Sequence, residues 1–103
     1  MASTHDYEID SRNDNIQIYI DGQFFPRTDA KVSVMDSGYL LGDGVWEGIR
    51  LYNNHLIHLE KHLERLYEGA ETIQMDIGIS KSEMKSALEK TLKKKLPETQ
   101  DLI

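Results

Sequence analysis

Apolar and polar residues alternate from the first well-patterned stretch of the chain: Ile16, Ile18 and Ile20 are separated by Gln17 and Tyr19, and Phe24-Phe25 follow Asp21-Gly22-Gln23. Alternation puts the apolar set on one side of a pleated strand, and an Asp-Gly pair supplies the positive φ angles of a tight two-residue turn. A β-hairpin is therefore predicted, with Pro26 ending its second strand or confining it to an edge. Lys31-Val32-Ser33-Val34 repeats the alternation briefly and predicts a third strand. Val45 to Tyr52 predicts another. Its odd positions Val45, Ile49 and Leu51, with Glu47 as the exception, face one side, and Trp46, Gly48, Arg50 and Tyr52 face the other. Asn53-Asn54 is a second two-residue turn signal, and Leu56-Ile57 belongs to the returning strand.

The period then lengthens. Leu59, Leu63, Leu66, Ala70 and Ile73 fall three or four residues apart, which stacks them on one face of a helix. Ser80 and Glu83 have the spacing of a capping box, flanked by Ile79 and Met84 as a hydrophobic staple, so a second helix starts there. Met84, Ala87, Leu88, Thr91 and Leu92 line its buried face, and Pro97 stops it. Hairpins followed by two helices predict an α+β domain, a largely antiparallel sheet with both helices packed on one face.

Composition narrows the function classes. Residues 1–14 carry Asp6, Glu8, Asp10, Arg12 and Asp14 with little apolar content and read as a flexible arm, leaving residues 15–103 as one small domain. Lysine and arginine number 12 against 18 acidic residues, a formal charge of −6. That balance speaks against a nucleic-acid surface, which needs a cationic stripe longer than Lys93-Lys94-Lys95. Cysteine is absent, which removes disulfides and thiolate metal sites from consideration. No uninterrupted apolar run suggests a membrane span or a leader, so a soluble, unprocessed, cytoplasmic protein is expected.

Three constellations could carry chemistry. His58, His62, Arg65 and Gly69 form a polar stripe beside the leucine face of the first helix, with glycine leaving room at one end. Such a stripe could meet an anion; the plainer alternative is a solvated flank on which Arg65 pairs with a nearby glutamate. Trp46, Gly48 and Arg50 point together from the strand, with Gly48 making space between two large side chains, either for a substrate or simply as a bulge beside a core tryptophan. His55, His58 and His62 raise a metal site, but no carboxylate completes a zinc pattern, so no metal is expected. Glu60, Glu64, Glu68 and Glu71 read as solvated charge. The glycines from Asp36 to Gly44 suit a compact turn; Gly42-Asp43-Gly44 precedes a strand rather than a helix, which excludes a dinucleotide fingerprint.

Gly38-Tyr39-Leu40-Leu41-Gly42-Asp43-Gly44-Val45-Trp46-Glu47-Gly48-Ile49-Arg50-Leu51-Tyr52, followed by His62-Leu63-Glu64-Arg65-Leu66, resembles the N-terminal domain of fold-type IV (class IV) pyridoxal-phosphate aminotransferases. The group includes the branched-chain and D-amino-acid enzymes, and the resemblance runs from about Ile16 to Leu92. It implies pyridoxal 5′-phosphate as cofactor, Arg65 as a ligand of its phosphate, and Trp46, Gly48, Leu41 and Arg50 around the substrate pocket. It implies amino and oxo acids as substrates, a ping-pong transfer of the amino group, and a homodimer. Trp46 stands where Phe or Tyr is more usual, and Leu41 where branched-chain enzymes tend to have tyrosine. Gly42-Asp43-Gly44-Val45 is closer to the D-amino-acid version.

The family's catalytic lysine belongs to a second domain. None of the eight lysines here has the apolar surroundings that would tune one for catalysis, so the chain alone is expected to be inactive. Two further readings stay open: a truncated binding or interaction domain of the same fold, and an enzyme similar to aminodeoxychorismate lyase.

Overall fold

The structure, a computed structural model, describes residues 14–95. The predicted flexible arm, except Asp14, and the stop at Pro97 lie outside them. The hairpin forms as patterned: β1 (Gln17–Ile20) pairs antiparallel with β2 (Gln23–Pro26), with Tyr19 opposite Phe24. Asp21 and Gly22 take φ of 50° and 87°, the left-handed values the turn requires. The Tyr19 and Phe24 rings meet edge to face at 5.3 Å, a cross-strand pair that fixes the register. Pro26 is the last residue of β2, at the end of the ladder, where its missing N–H costs no interior bond.

Residues 31–34 form no strand. No strand edge among the described residues pairs with them, and Val32 and Val34 are 67% and 65% exposed. Alternation without a neighbouring ladder leaves the backbone hydrated. The glycine-rich segment is more regular than a turn. It contains a five-residue helix, α1 (Ser37–Leu41), capped by the Asp36 carboxylate accepting from the Gly38 N–H at 2.8 Å. Gly42 ends it in the left-handed region at φ 74°.

The strand predicted over 45–52 shrinks to β3 (Leu51–Tyr52), which pairs with β4 (His55–Leu56) through Asn53-Asn54, both at positive φ. Residues 45–50 have no ladder partner among the described residues. Their exposure nonetheless alternates, with 45, 47 and 49 half-buried and 46, 48 and 50 exposed, as in an extended chain laid on a surface. Among the described residues the sheet is thus two separate two-stranded antiparallel ribbons.

Helix α2 (Leu59–Thr72) buries Leu63 and Ala70 to 2% exposure; Ile73 falls just past its end, where it is 45% exposed instead of completing the apolar face. Helix α3 (Lys81–Lys95) begins with the reciprocal capping box, Ser80 N–H to the Glu83 carboxylate at 3.0 Å and Glu83 N–H to the Ser80 hydroxyl at 3.1 Å. Those bonds hold the Glu83 carboxyl below its ordinary range. Helix α3 packs on β1 and α2 packs on α3, and Ala87 of α3 is buried. Tyr67 on α2 donates to the Ile79 carbonyl at 2.7 Å and ties α2 to the connection leading into α3. The result is the expected α+β class, with α2 left free on one side to receive residues 45–49.

Candidate functional site

Helix α2 brings Lys61, His62, Arg65 and Gly69 to one flank, because residues three and four apart share a face. Residues 45–49 lie along that flank. Val45 meets Gly69 so closely that a Cβ built there would be 3.3 Å from its Cγ1, and Glu47 reaches His62 and Arg65. The spacing explains the match: two extended residues advance about 6.6 Å, and four helical residues about 6 Å. Segment and helix therefore run antiparallel with side chains in register over one helical turn.

Glu47 is the centre of the cluster. Its Oε2 accepts from Arg65 Nε at 2.8 Å, and its Oε1 accepts from Arg65 Nη2 at 2.7 Å and from His62 Nδ1 at 2.5 Å. An ionised carboxylate only accepts, so His62 carries its hydrogen on Nδ1. The Glu47 side chain is only 10% exposed, and the Arg65 bonds, then the His62 bond, hold its carboxyl down to about 2. The same pairing raises Arg65 above its ordinary value. The fork is the planar, bidentate arrangement that suits guanidinium to carboxylate.

Arg65 remains 71% exposed. Two of its five N–H groups serve Glu47, which leaves the Nη1 pair and one Nη2 hydrogen directed elsewhere. A hollow of about 170 Å³ adjoins it, lined by Lys61, His62 and Arg65. A hollow whose rim is two cations and an imidazole, with the Glu47 carboxylate already bonded, is suited to an anion.

Trp46, Gly48 and Arg50 occupy the exposed positions of the same segment, alternate to Glu47 and so on its other side. Trp46 is 84% exposed and leans over Gly48, whose hypothetical Cβ would lie 3.7 Å from the indole Cζ3. The space expected at Gly48 is thus partly covered by the indole. Arg50 stacks over the Tyr52 ring at 5.6 Å, and Leu41 is exposed at the end of α1. The hollow beside Arg65 is lined by Lys61, His62 and Arg65 and does not include Trp46, Gly48, Leu41 or Arg50. No group of three or more histidine or acidic side chains among the described residues could hold a metal, and no described helix is long and apolar enough to cross a membrane.

Glu47 is the site residue that sequence patterning passed over. The available signal was its position as the single charge on the otherwise apolar odd face of residues 45–51. A buried-face carboxylate requires a partner, and the polar stripe on α2 was the nearest supply of donors.

The amino-transferase class IV family profile matches residues 44–99, and the chain belongs to that family. A Methanocaldococcus jannaschii protein provisionally named a branched-chain-amino-acid aminotransferase is 45% identical over 78 residues, 76% of this chain and 27% of that one. The D-alanine aminotransferase of Bacillus licheniformis is 40% identical over 73 residues, 71% of this chain and 26% of its own length. Branched-chain-amino-acid aminotransferase-like protein 1 of Arabidopsis thaliana is 39% identical over 80 residues, 78% of this chain and 14% of its own. The chain thus spans about a quarter of the first two relatives and less of the third.

Proposed function

We propose that this chain is the phosphate-holding part of a pyridoxal-phosphate aminotransferase that moves an amino group between an amino acid and a 2-oxo acid. One observation carries the assignment: Arg65 is locked by Glu47 on one edge while its remaining donors open on a cationic hollow with Lys61 and His62. That donor set fits a phosphate dianion. Pyridoxal phosphate, when bound, supplies the electron-withdrawing ring that accepts the amino group from one substrate and yields it to the next.

The chain's own contribution is to bind and orient. Arg65 grips the phosphate, and Glu47 prevents the long guanidinium side chain from sampling other rotamers, so little ordering entropy is lost on binding. Trp46 and Leu41 offer exposed apolar surface, and Arg50 an exposed cation, to a substrate that carries both an aliphatic part and a carboxylate. The lysine required for the chemistry is assigned to a part of the enzyme beyond this domain, which leaves the isolated chain inactive, and the working form is a cytoplasmic homodimer, as the family implies. Family membership favours this assignment over a binding-only domain. Loss of pyruvate from aminodeoxychorismate, in place of amino transfer to an oxo acid, would identify the lyase variant of the same scaffold.

The direct test is phosphorus NMR of pyridoxal phosphate titrated with the chain and with Arg65→Ala. Removing a charge-assisted phosphate contact is expected to weaken binding about tenfold or more. Equal affinity for the two proteins would remove Arg65 from the site.

A further inference from the structure

Gly69 lies inside α2, three residues before its end at Thr72, and is absent from the positive-φ glycines, so the helix itself does not call for glycine there. Glycine is among the poorest residues for a helix interior, and alanine would serve the backbone better. What glycine allows is close approach: Val45 Cγ1 stands 3.3 Å from where a Cβ would be. Residues 42–50 have no strand ladder of their own, so side-chain contacts and the ends of the segment decide how it sits on α2. At the far end the Ile57 N–H donates to the Arg50 carbonyl at 2.8 Å and joins the segment to the second hairpin. At the near end the counterpart is Val45 on Gly69. Glu47 lies between these two anchors.

We infer that Gly69 is a positioning residue: by admitting Val45 against the α2 backbone, it sets the register of residues 43–50 along the helix and so holds the Glu47 carboxylate between His62 and Arg65. Its relevance to cofactor phosphate rests on the assignment of Arg65 made above; its geometry does not. A methyl or isopropyl group at position 69 lifts Val45, and the displacement passes two residues along an extended chain to a carboxylate making three short hydrogen bonds. Those bonds are directional, so a shift of a few tenths of an ångström weakens them where it would scarcely affect an apolar contact.

The test is carbon NMR of the Glu47 carboxyl as a function of pH in the wild-type chain, Gly69→Ala, Gly69→Val, and Gly69→Val combined with Val45→Ala. The wild-type midpoint is expected at about 2. Gly69→Val is expected to raise it by about one pH unit or more, and Gly69→Ala by less, as the stabilising donors move away. Shortening Val45 in the double variant is expected to return the midpoint most of the way, a rescue that general loosening of the helix would not produce. An unchanged midpoint in Gly69→Val with native circular dichroism overturns the inference. Should that variant unfold, Gly69→Ala keeps the question open to decision, because alanine favours helix, and a midpoint equal to wild type would overturn it. A wild-type midpoint near 4.5 would end the Glu47 cluster itself. Failure of Arg65→Ala to alter pyridoxal phosphate binding would leave this titration series untouched, so the two proposals fail separately.

Discussion

Residues 31–35 and residues 45–51 carry the same kind of pattern, alternating apolar and polar side chains, and the structure treats them differently. Val32, Val34 and Met35 are largely exposed, whereas Val45, Glu47, Ile49 and Leu51 are all half-buried. Neither stretch has a full strand ladder, so hydrogen bonding does not separate them. The difference is a matching surface. The second stretch finds a helix flank whose small residue, cation and imidazole recur at its own spacing, and the first finds no such surface among the described residues. Alternation thus marks a face that can be covered, and the complementary element decides whether it is.

Substitutions can break that comparison, beginning with the support beneath the seated segment. Leu63 is the most completely buried large side chain described and holds α2 in place. Leu63→Ala is expected to cost about 2–5 kcal/mol by loss of apolar burial and the cavity left behind. Urea denaturation reads this directly, and a loss below about 1 kcal/mol would show that α2 is not the platform described.

A smaller effect, confined to acid, comes from the ion cluster. The folded chain holds Glu47 at about 2 against an ordinary 4.5, so its stabilising contribution is fully present above 4.5 and disappears as pH falls toward 2. The urea midpoint of the wild-type chain should therefore decline more steeply between pH 4.5 and 2 than that of Glu47→Gln. Some decline persists in the variant, since Glu83 also titrates low through its bonds to Ser80. Identical slopes would mean that Glu47 is not paired in solution.

The smallest effect belongs to the uncovered stretch. Val34→Thr is expected to change stability by less than about 0.5 kcal/mol, because the side chain is already exposed. A loss comparable to that from a core substitution would show that residues 31–35 pack in solution, and the contrast between the two regions would vanish.

Local chemistry was the legible part of the fold. The Asp21-Gly22 and Asn53-Asn54 turns, the Ser80-Glu83 capping box and the Leu63 and Ala70 face all depend on residues close in sequence, and each formed as patterned. The strands over 31–34 and 45–50 did not form, because a strand exists only where a second strand supplies the other half of its hydrogen bonds. Ile73 kept helical spacing but fell beyond the last helical turn, a boundary that periodicity does not fix. At the site, the polar stripe of His62, Arg65 and Gly69 was visible in sequence, and its partner was not. Glu47 meets Arg65 from 18 positions away, through a register that only the docked segment defines.

That register works as a vernier. An extended chain and a helix advance by unequal steps, and the mismatch of about 0.6 Å per pair of residues accumulates. Over the single turn from Gly69 to Arg65 the mismatch stays within side-chain reach, which lets Val45 and Glu47 both seat on α2. Inserting or deleting a single residue between Val45 and Glu47 would turn the carboxylate outward and carry Trp46 or Gly48 in its place. Length variation in this part of the chain should accordingly be tolerated on the Gly42 side of α1 and nowhere between Val45 and Arg50.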